Sequence, residues 1–262
     1  MAGDLTISTI NGGAIGAKNA LINGNFGINQ RAVSGTVTLS AGAYGHDRFK
    51  AGASGCTYTF ATSNNITTLT ITAGSLIQVI EGINLQSGTY TLSWTGTAQG
   101  KIGGGSYAGS GVTETVTGGT NLNIEFDTGT LSLVQLEAGS VATPFEHRQY
   151  GQELALCQRY CQVYTGIVNQ RVGLSGNGGN TSFPTLILKT IMRSTPTLTV
   201  SSASHFSSEG LNGGRTATSS LSANILSPDS VTFEAVTTGI TGSGTNLLIN
   251  STSGKITLDS EL

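Results

Sequence analysis

Between Leu21 and Pro144, apolar residues recur at every second position in short runs. "TVTLS" puts Val37 and Leu39 on one side, "TLTIT" Leu69 and Ile71, "TYTLSW" Tyr90, Leu92 and Trp94, and "NLNIEF" Leu122, Ile124 and Phe126. "TLSLVQL" begins the same way with Leu131 and Leu133. A period of two is the mark of a strand with one buried face. Clusters such as "SAGAYG", "ATSNN", "LQSG" and "DTG" separate the runs and supply turn residues. The pattern predicts a two-sheet sandwich of jelly-roll size over residues 21–145.

The period then changes. After Pro144 the apolar positions Tyr150, Leu154, Cys157 and Cys161 fall at i, i+4, i+7 and i+11, a single helical stripe. Residues 146–164 are therefore expected to form a helical linker, too short to be stable without something to pack on. From residue 165 to 262 the chain returns to strand patterns ("SVTFEAV", "TNLLIN", "GKITL"), with Pro184 and Pro196 breaking a long apolar segment. That predicts a second, smaller β-sandwich with a thin core. Residues 1–20 carry one short alternation (Leu5, Ile7) and Gly-rich spacing, read either as a frayed end or as an arm that docks on a partner. The expected fold class is mainly β.

Composition narrows the function classes. There are 38 Gly and 4 Pro among 262 residues, and only 10% are charged, which suits many strands and tight turns rather than disorder. The net charge is −2 with no basic run, so nucleic acid is not an expected partner. No apolar run approaches a membrane span and the start lacks a basic signal region, so the expectation is a protein made in the cytoplasm without membrane insertion. Three Cys make no disulfide framework.

Catalytic constellations are not evident. No Walker loop, GxSxG or HExxH occurs, and "KIGGGSYAGSG" and "SGNGGN" read as hairpin loops. His46, His147 and His205 are far apart in sequence and read as polar loop residues. Glu125 and Asp127 share a strand face opposite Leu122, Ile124 and Phe126, so both are expected in solvent. "EFDTG" offers oxygens to a hard cation but lacks a calcium-loop pattern. Trp94 and Tyr107 are the candidate stacking platforms for a sugar; Trp94 continues the Leu92 face and reads as core, and Tyr107 reads as the exposed aromatic. Cys157 and Cys161 read as small buried residues, with a metal held by six thiols on a threefold axis as the alternative. No catalytic residue, metal site or cofactor is assigned.

Five ordered segments carry a resemblance: "NALINGNFGINQR" (19–31), "AYGHDRF" (43–49), "GTYTLSWTGTA" (88–98), "VQLEAGSVATPFEHR" (134–148) and "YGQELALCQRYCQVY" (150–164). Together they resemble the modular fibre and receptor-binding proteins of tailed bacteriophages. "FPTLILKTIMRSTPTLTV" (183–200) and the ending "LDSEL" add to it. Phe49 stands where that family usually has Trp, and Cys161 where a second Tyr often follows. The resemblance implies a non-enzymatic virion protein, a homotrimeric tail fibre or fibre tip. It would be attached to other virion proteins through residues 1–20 and would bind a host surface glycan or protein. It also implies a carbohydrate-binding-like jelly-roll as first module.

On that reading Tyr150, Leu154, Cys157 and Cys161 form the inner seam of a threefold helical clasp. The alternative is that the stripe packs back on its own sandwich. The loops 174–180 and 207–215 are the expected receptor contacts. A capsid decoration protein or head fibre, a fibre adaptor, and a glycan depolymerase are the competing functions.

Overall fold

The computed structural model describes residues 9–10, 13–14, 18–166, 168–175, 180–210, 214–237 and 245–262. Strand occupies 52% of the described residues and helix 7%, so the class is mainly β. The chain divides into two compact units, Met1–Leu154 and Ala155–Leu262.

In the first unit a two-residue pair, β1 (Thr9–Ile10) and β2 (Gly13–Ala14), precedes the main strands: β3 (Val37–Leu39), β4 (Phe49–Ser63), β5 (Ile66–Ile80), β6 (Gly88–Thr95), β7 (Gly100–Ile102), β8 (Val112–Val116), β9 (Leu122–Phe126) and β10 (Gly129–Ala138). β4 and β5 form a long hairpin whose tip residues Asn64 and Asn65 both have positive φ, as a tight two-residue turn requires. The second half of β5 pairs with β9, and β9 with β7. β10 joins two layers. Gly129–Leu131 pair with β5, whereas residues 132–138 pair with β6, which pairs with β8. A strand that changes sheets needs a local bend. It lies in the register shift between Ser132 and Gln135, where Leu133 has φ +50°.

That bulge corrects one expectation. The alternation Leu131, Leu133 does not continue. Leu131, Val134 and Leu136 are fully buried and Leu133 is only half-buried, because the extra residue reverses the parity of the strand. The other predicted faces are found inside: Leu69, Ile71, Leu92, Trp94, Ile124 and Phe126 belong to one core with Phe26, Phe49 and Tyr58. The Trp94 indole donates to the Ala98 carbonyl at 3.0 Å and meets Phe126 edge-on. Phe49 packs on Phe26 with ring centroids 4.6 Å apart.

Helix α1 runs from Tyr150 to Gln158. The expected helical stripe therefore ends early, and Cys161 opens β11 (Cys161–Thr165) opposite Asp259. The second unit continues with β12 (Gln170–Ser175), β13 (Thr181–Ser182), β14 (Thr185–Ile187), β15 (Thr197–Val200), β16 (Phe206–Glu209), β17 (Arg215–Leu226), β18 (Ser230–Thr237), β19 (Thr245–Ile249) and β20 (Lys255–Asp259). β11, β20 and β15 make a three-stranded sheet; the rest form a seven-stranded sheet in the order β13-β18-β14-β12-β19-β16-β17. Phe206, Phe233, Leu247, Ile249, Ile256 and Leu258 are fully buried between them.

Candidate functional site

The segments that carry the resemblance meet in space. In the first unit, residues 18–28 run against residues 134–153, and side chains bind them to each other's backbone. Asn19 donates from Nδ2 to the Val134 carbonyl at 3.0 Å, and its Oδ1 accepts from the Leu136 amide at 3.0 Å. The Asn19 amide donates to Glu146 Oε2 at 2.9 Å. Arg148 crosses the seam: Nη1 donates to the Leu21 carbonyl at 3.0 Å and Nη2 to the Asn19 carbonyl. The same guanidinium pairs with Glu146 and with Glu153, each at 3.3 Å, and its side chain is only 6% exposed. Glu153, in the first turn of α1, also accepts from the Asn23 amide.

A second layer of bonds fixes the return loop. Glu137, 3% exposed, accepts from the Gln135 side chain at 2.9 Å, from the Thr143 amide at 2.8 Å and from the Thr143 hydroxyl at 2.6 Å. Gln135 Oε1 accepts from the Glu146 amide at 2.8 Å. The Gln78 side chain behaves like a strand neighbour of Ile22, accepting from its amide at 2.8 Å and donating to its carbonyl at 2.7 Å. Gly24 is required where the two segments cross, because a Cβ there would stand 2.1 Å from the Val134 carbonyl oxygen. These polar groups are buried with partners, the condition under which burial is tolerated. The result ties the entry of the unit to its exit.

Beside this seam lies a cleft of about 540 Å³, lined among others by Asn25, Thr62, Asn65, His147 and Tyr150. Tyr150 is 67% exposed.

The predicted seam residues do not share one face. Tyr150 is exposed and Leu154 half-buried, whereas Cys157 and Cys161 have no accessible surface within the single chain. Cys157 and Cys161 form no disulfide and are buried, the small buried residues expected. Cys161 sits on a strand rather than on α1, so the four residues do not form the one helical stripe expected. The exposed residues of α1 include Tyr150, Gln152 and Ala155, with Leu154 half-buried beside them.

The three His differ. His46 is 1% exposed, not a loop-surface residue: Phe60 meets it edge-on at 4.6 Å and its Nδ1 lies 3.0 Å from the Tyr58 hydroxyl. Burial pulls its pKa down to about 4, so the ring is neutral near pH 7. His147 is exposed against Phe145, and His205 bonds Ser201. Among the described residues no three His, Cys, Asp or Glu side chains gather as metal ligands. Among the described residues no helix is long and apolar enough to cross a membrane.

Glu125 departs from expectation most. Its side chain points away from the core as the alternation requires, but it is not freely solvated. The Ser75 hydroxyl donates to Oε1 at 2.5 Å, and Lys101 Nζ lies 3.0 Å from Oε2. Burial alone would raise its pKa; hydrogen bonds from Ser75, Lys101 and Tyr107 outweigh that and hold the carboxyl below its usual value. Burial first, and then the Glu125 carboxylate, push Tyr107 up to about 12. Asp127 instead closes a backbone bracket, accepting from the Gln99 amide at 2.7 Å. Ser75 and Lys101 carried no motif. Only their register on neighbouring strands brings them to Glu125.

The proposed contact loops 174–180 and 207–215 fall partly outside the described residues, at 176–179 and 211–213, as does most of the 1–20 arm. Compared with models of known protein families, with curated proteins and with solved structures, the chain matches none.

Proposed function

We propose that the chain is a non-enzymatic structural and adhesion protein of a tailed-bacteriophage virion, a tail fibre or fibre tip that works as a homotrimer and meets a host surface glycan or protein. The observation that carries this reading is the entry-to-exit seam of the first unit. The residues that resemble the phage family, Asn19, Asn23, Gln135, Glu137, Glu146, Arg148 and Glu153, are the ones that build it. A module in a fibre is loaded between its two ends. Tension entering near residue 18 and leaving near residue 153 meets hydrogen bonds and ion pairs arranged side by side before it reaches the sandwich. That gives the motif a mechanical reason and leaves the outer faces of the sheets for recognition.

The test is immunogold labelling of purified phage particles that encode the chain, together with a cell-binding assay on the purified protein. Label at tail tips and saturable binding to host cells are the expected results. Label on heads without cell binding would replace the fibre by a capsid decoration, and the absence of the chain from particles would sink the virion reading.

A further inference from the structure

One row of side chains crosses the outer face of the first unit without interruption. Tyr44 bridges to Lys50, Lys50 pairs with Ile77, Ile77 with Glu125, and Glu125 with Lys101. Directly paired residues project to the same side of a sheet. Their strand neighbours Phe49, Ala51, Leu76, Ile124, Phe126 and Ile102 are all in the core, which places the row outside. All five are half-buried. Four steps between strands make the row roughly 20 Å long.

Each end carries a tyrosine braced by cations. The Lys101 ammonium lies 4.6 Å from the centre of the Tyr107 ring, and Tyr107 is 37% exposed. Two backbone bonds between Gly100 and Ala108, both 2.9 Å, hold the loop so that Tyr107 lies there. At the other end the Arg31 guanidinium is 5.1 Å and the Lys50 ammonium 6.0 Å from the centre of Tyr44. In the middle, Gly52 makes room for the Ser75 hydroxyl, since a Cβ there would come within 2.0 Å of it. Glu125 is thereby held upright by Ser75 and Lys101.

We infer that this row is a binding platform for a neutral polysaccharide chain of the kind that coats bacterial cells. A sugar hydroxyl both donates and accepts, and the row offers a donor (Lys50), a fixed acceptor (Glu125) and a second donor (Lys101) in sequence. A pyranose also has an apolar C–H face, which suits Ile77 between the charges and an aromatic ring at each end. An extended peptide would instead add at a sheet edge through main-chain bonds, which a sheet face does not offer. The inference rests on the adhesion reading for its biological sense, but its test does not.

The purified chain is applied to a printed array of neutral and acidic bacterial surface polysaccharides, and the best ligand is followed by amide NMR titration. Binding to neutral chains is expected, with shifts at Lys50, Ile77, Glu125 and Lys101. Tyr107→Ala should weaken it about ten-fold while Tyr107→Phe keeps most of it. Thermal melts of both variants check that the fold is intact, and Tyr44→Ala repeats the test at the far end should Tyr107→Ala fail to fold. No binding anywhere on the array overturns the inference, as do shifts confined to other surfaces or affinities unchanged in the alanine variants. Binding only to acidic chains and lost in salt would reduce the row to charge attraction and overturn it too. Array binding with no label on particles keeps the platform and sinks the virion role; label on particles with an empty array does the reverse.

Discussion

The two units solve the same problem with different means. The first has long strands, an aromatic core around Phe26, Phe49, Tyr58, Trp94 and Phe126, and buried polar side chains that bind distant backbone segments. The second relies on shorter strands and a core with Phe206 and Phe233, and its outer face is partly apolar. Thr232 pairs with both Thr185 and Ile225, and Ser230 with Ile187, so Ile187 and Ile225 point to one side. They are 73% and 61% exposed. The first unit buries most of its apolar side chains in that core, leaving Ile83, Val141 and Tyr150 exposed away from the sheet faces. The second leaves apolar surface of the sort that a neighbouring subunit covers.

The sharpest way to break that contrast is Arg148→Ala. It strands Glu146 and Glu153 in a nearly buried seam and removes two bonds to backbone carbonyls. Loss of one partner of a buried pair costs about 3–5 kcal/mol. Calorimetry should show the first unit's transition falling by that amount while the second unit's is unchanged. Equal loss from both transitions would mean that the seam does not belong to the first unit alone.

Acid gives the next largest effect. The folded pKa of His46, about 4, lies below its unfolded value of 6.5. The unfolded chain therefore binds the extra proton between those values, and folding loses stability as pH falls from about 6.5 to 4, then no further from this group. Full development corresponds to about 3 kcal/mol. A titration of the first unit's melting temperature should slope downward across that window, and His46→Gln should flatten the slope. A slope that starts only below pH 4 would assign acid sensitivity to carboxylates instead.

Much of this was legible in the sequence, and the failures have a common cause. Strand faces such as Leu69 with Ile71, or Ile124 with Phe126, follow from alternation alone because both partners lie in one short window. The helix was legible at its start, where Tyr150 and Leu154 fit the period, but not at its end. Cys161 fits the helical stripe equally well, and the pairing of β11 with β20 at the chain terminus overrides that weak local preference. The seam was visible as motifs without a meaning, since Asn19 and Arg148 reveal their role only when the two ends of the unit meet. The outer row was half visible: alternation put Glu125 outside, but its partners Ser75 and Lys101 come from other strands.

A smaller effect sharpens the role of glycine in that row. Gly52→Ala should displace the Ser75 hydroxyl and with it the Glu125 carboxylate. Crowding of this size costs about 1–3 kcal/mol. The first unit's melting temperature should fall, and Ser75→Ala in the same chain should restore part of it, because it removes the oxygen that the new methyl meets. No recovery in the double variant would place the strain in the backbone of β4 rather than in the side chain.

The smallest expected change in stability carries the most information about assembly. Ile225→Asp and Ile187→Asp replace exposed residues, so the folded single chain should change by less than about 0.5 kcal/mol. If three chains associate through that apolar face, light scattering should find three times 26.7 kDa for the parent protein and a smaller species for the variants. Leu154→Asp discriminates the location. Dissociation by Leu154→Asp alone would put the contact at α1; dissociation by the isoleucine variants alone would put it on the second unit's sheet. A parent protein that is already monomeric would show that neither surface joins copies of the chain.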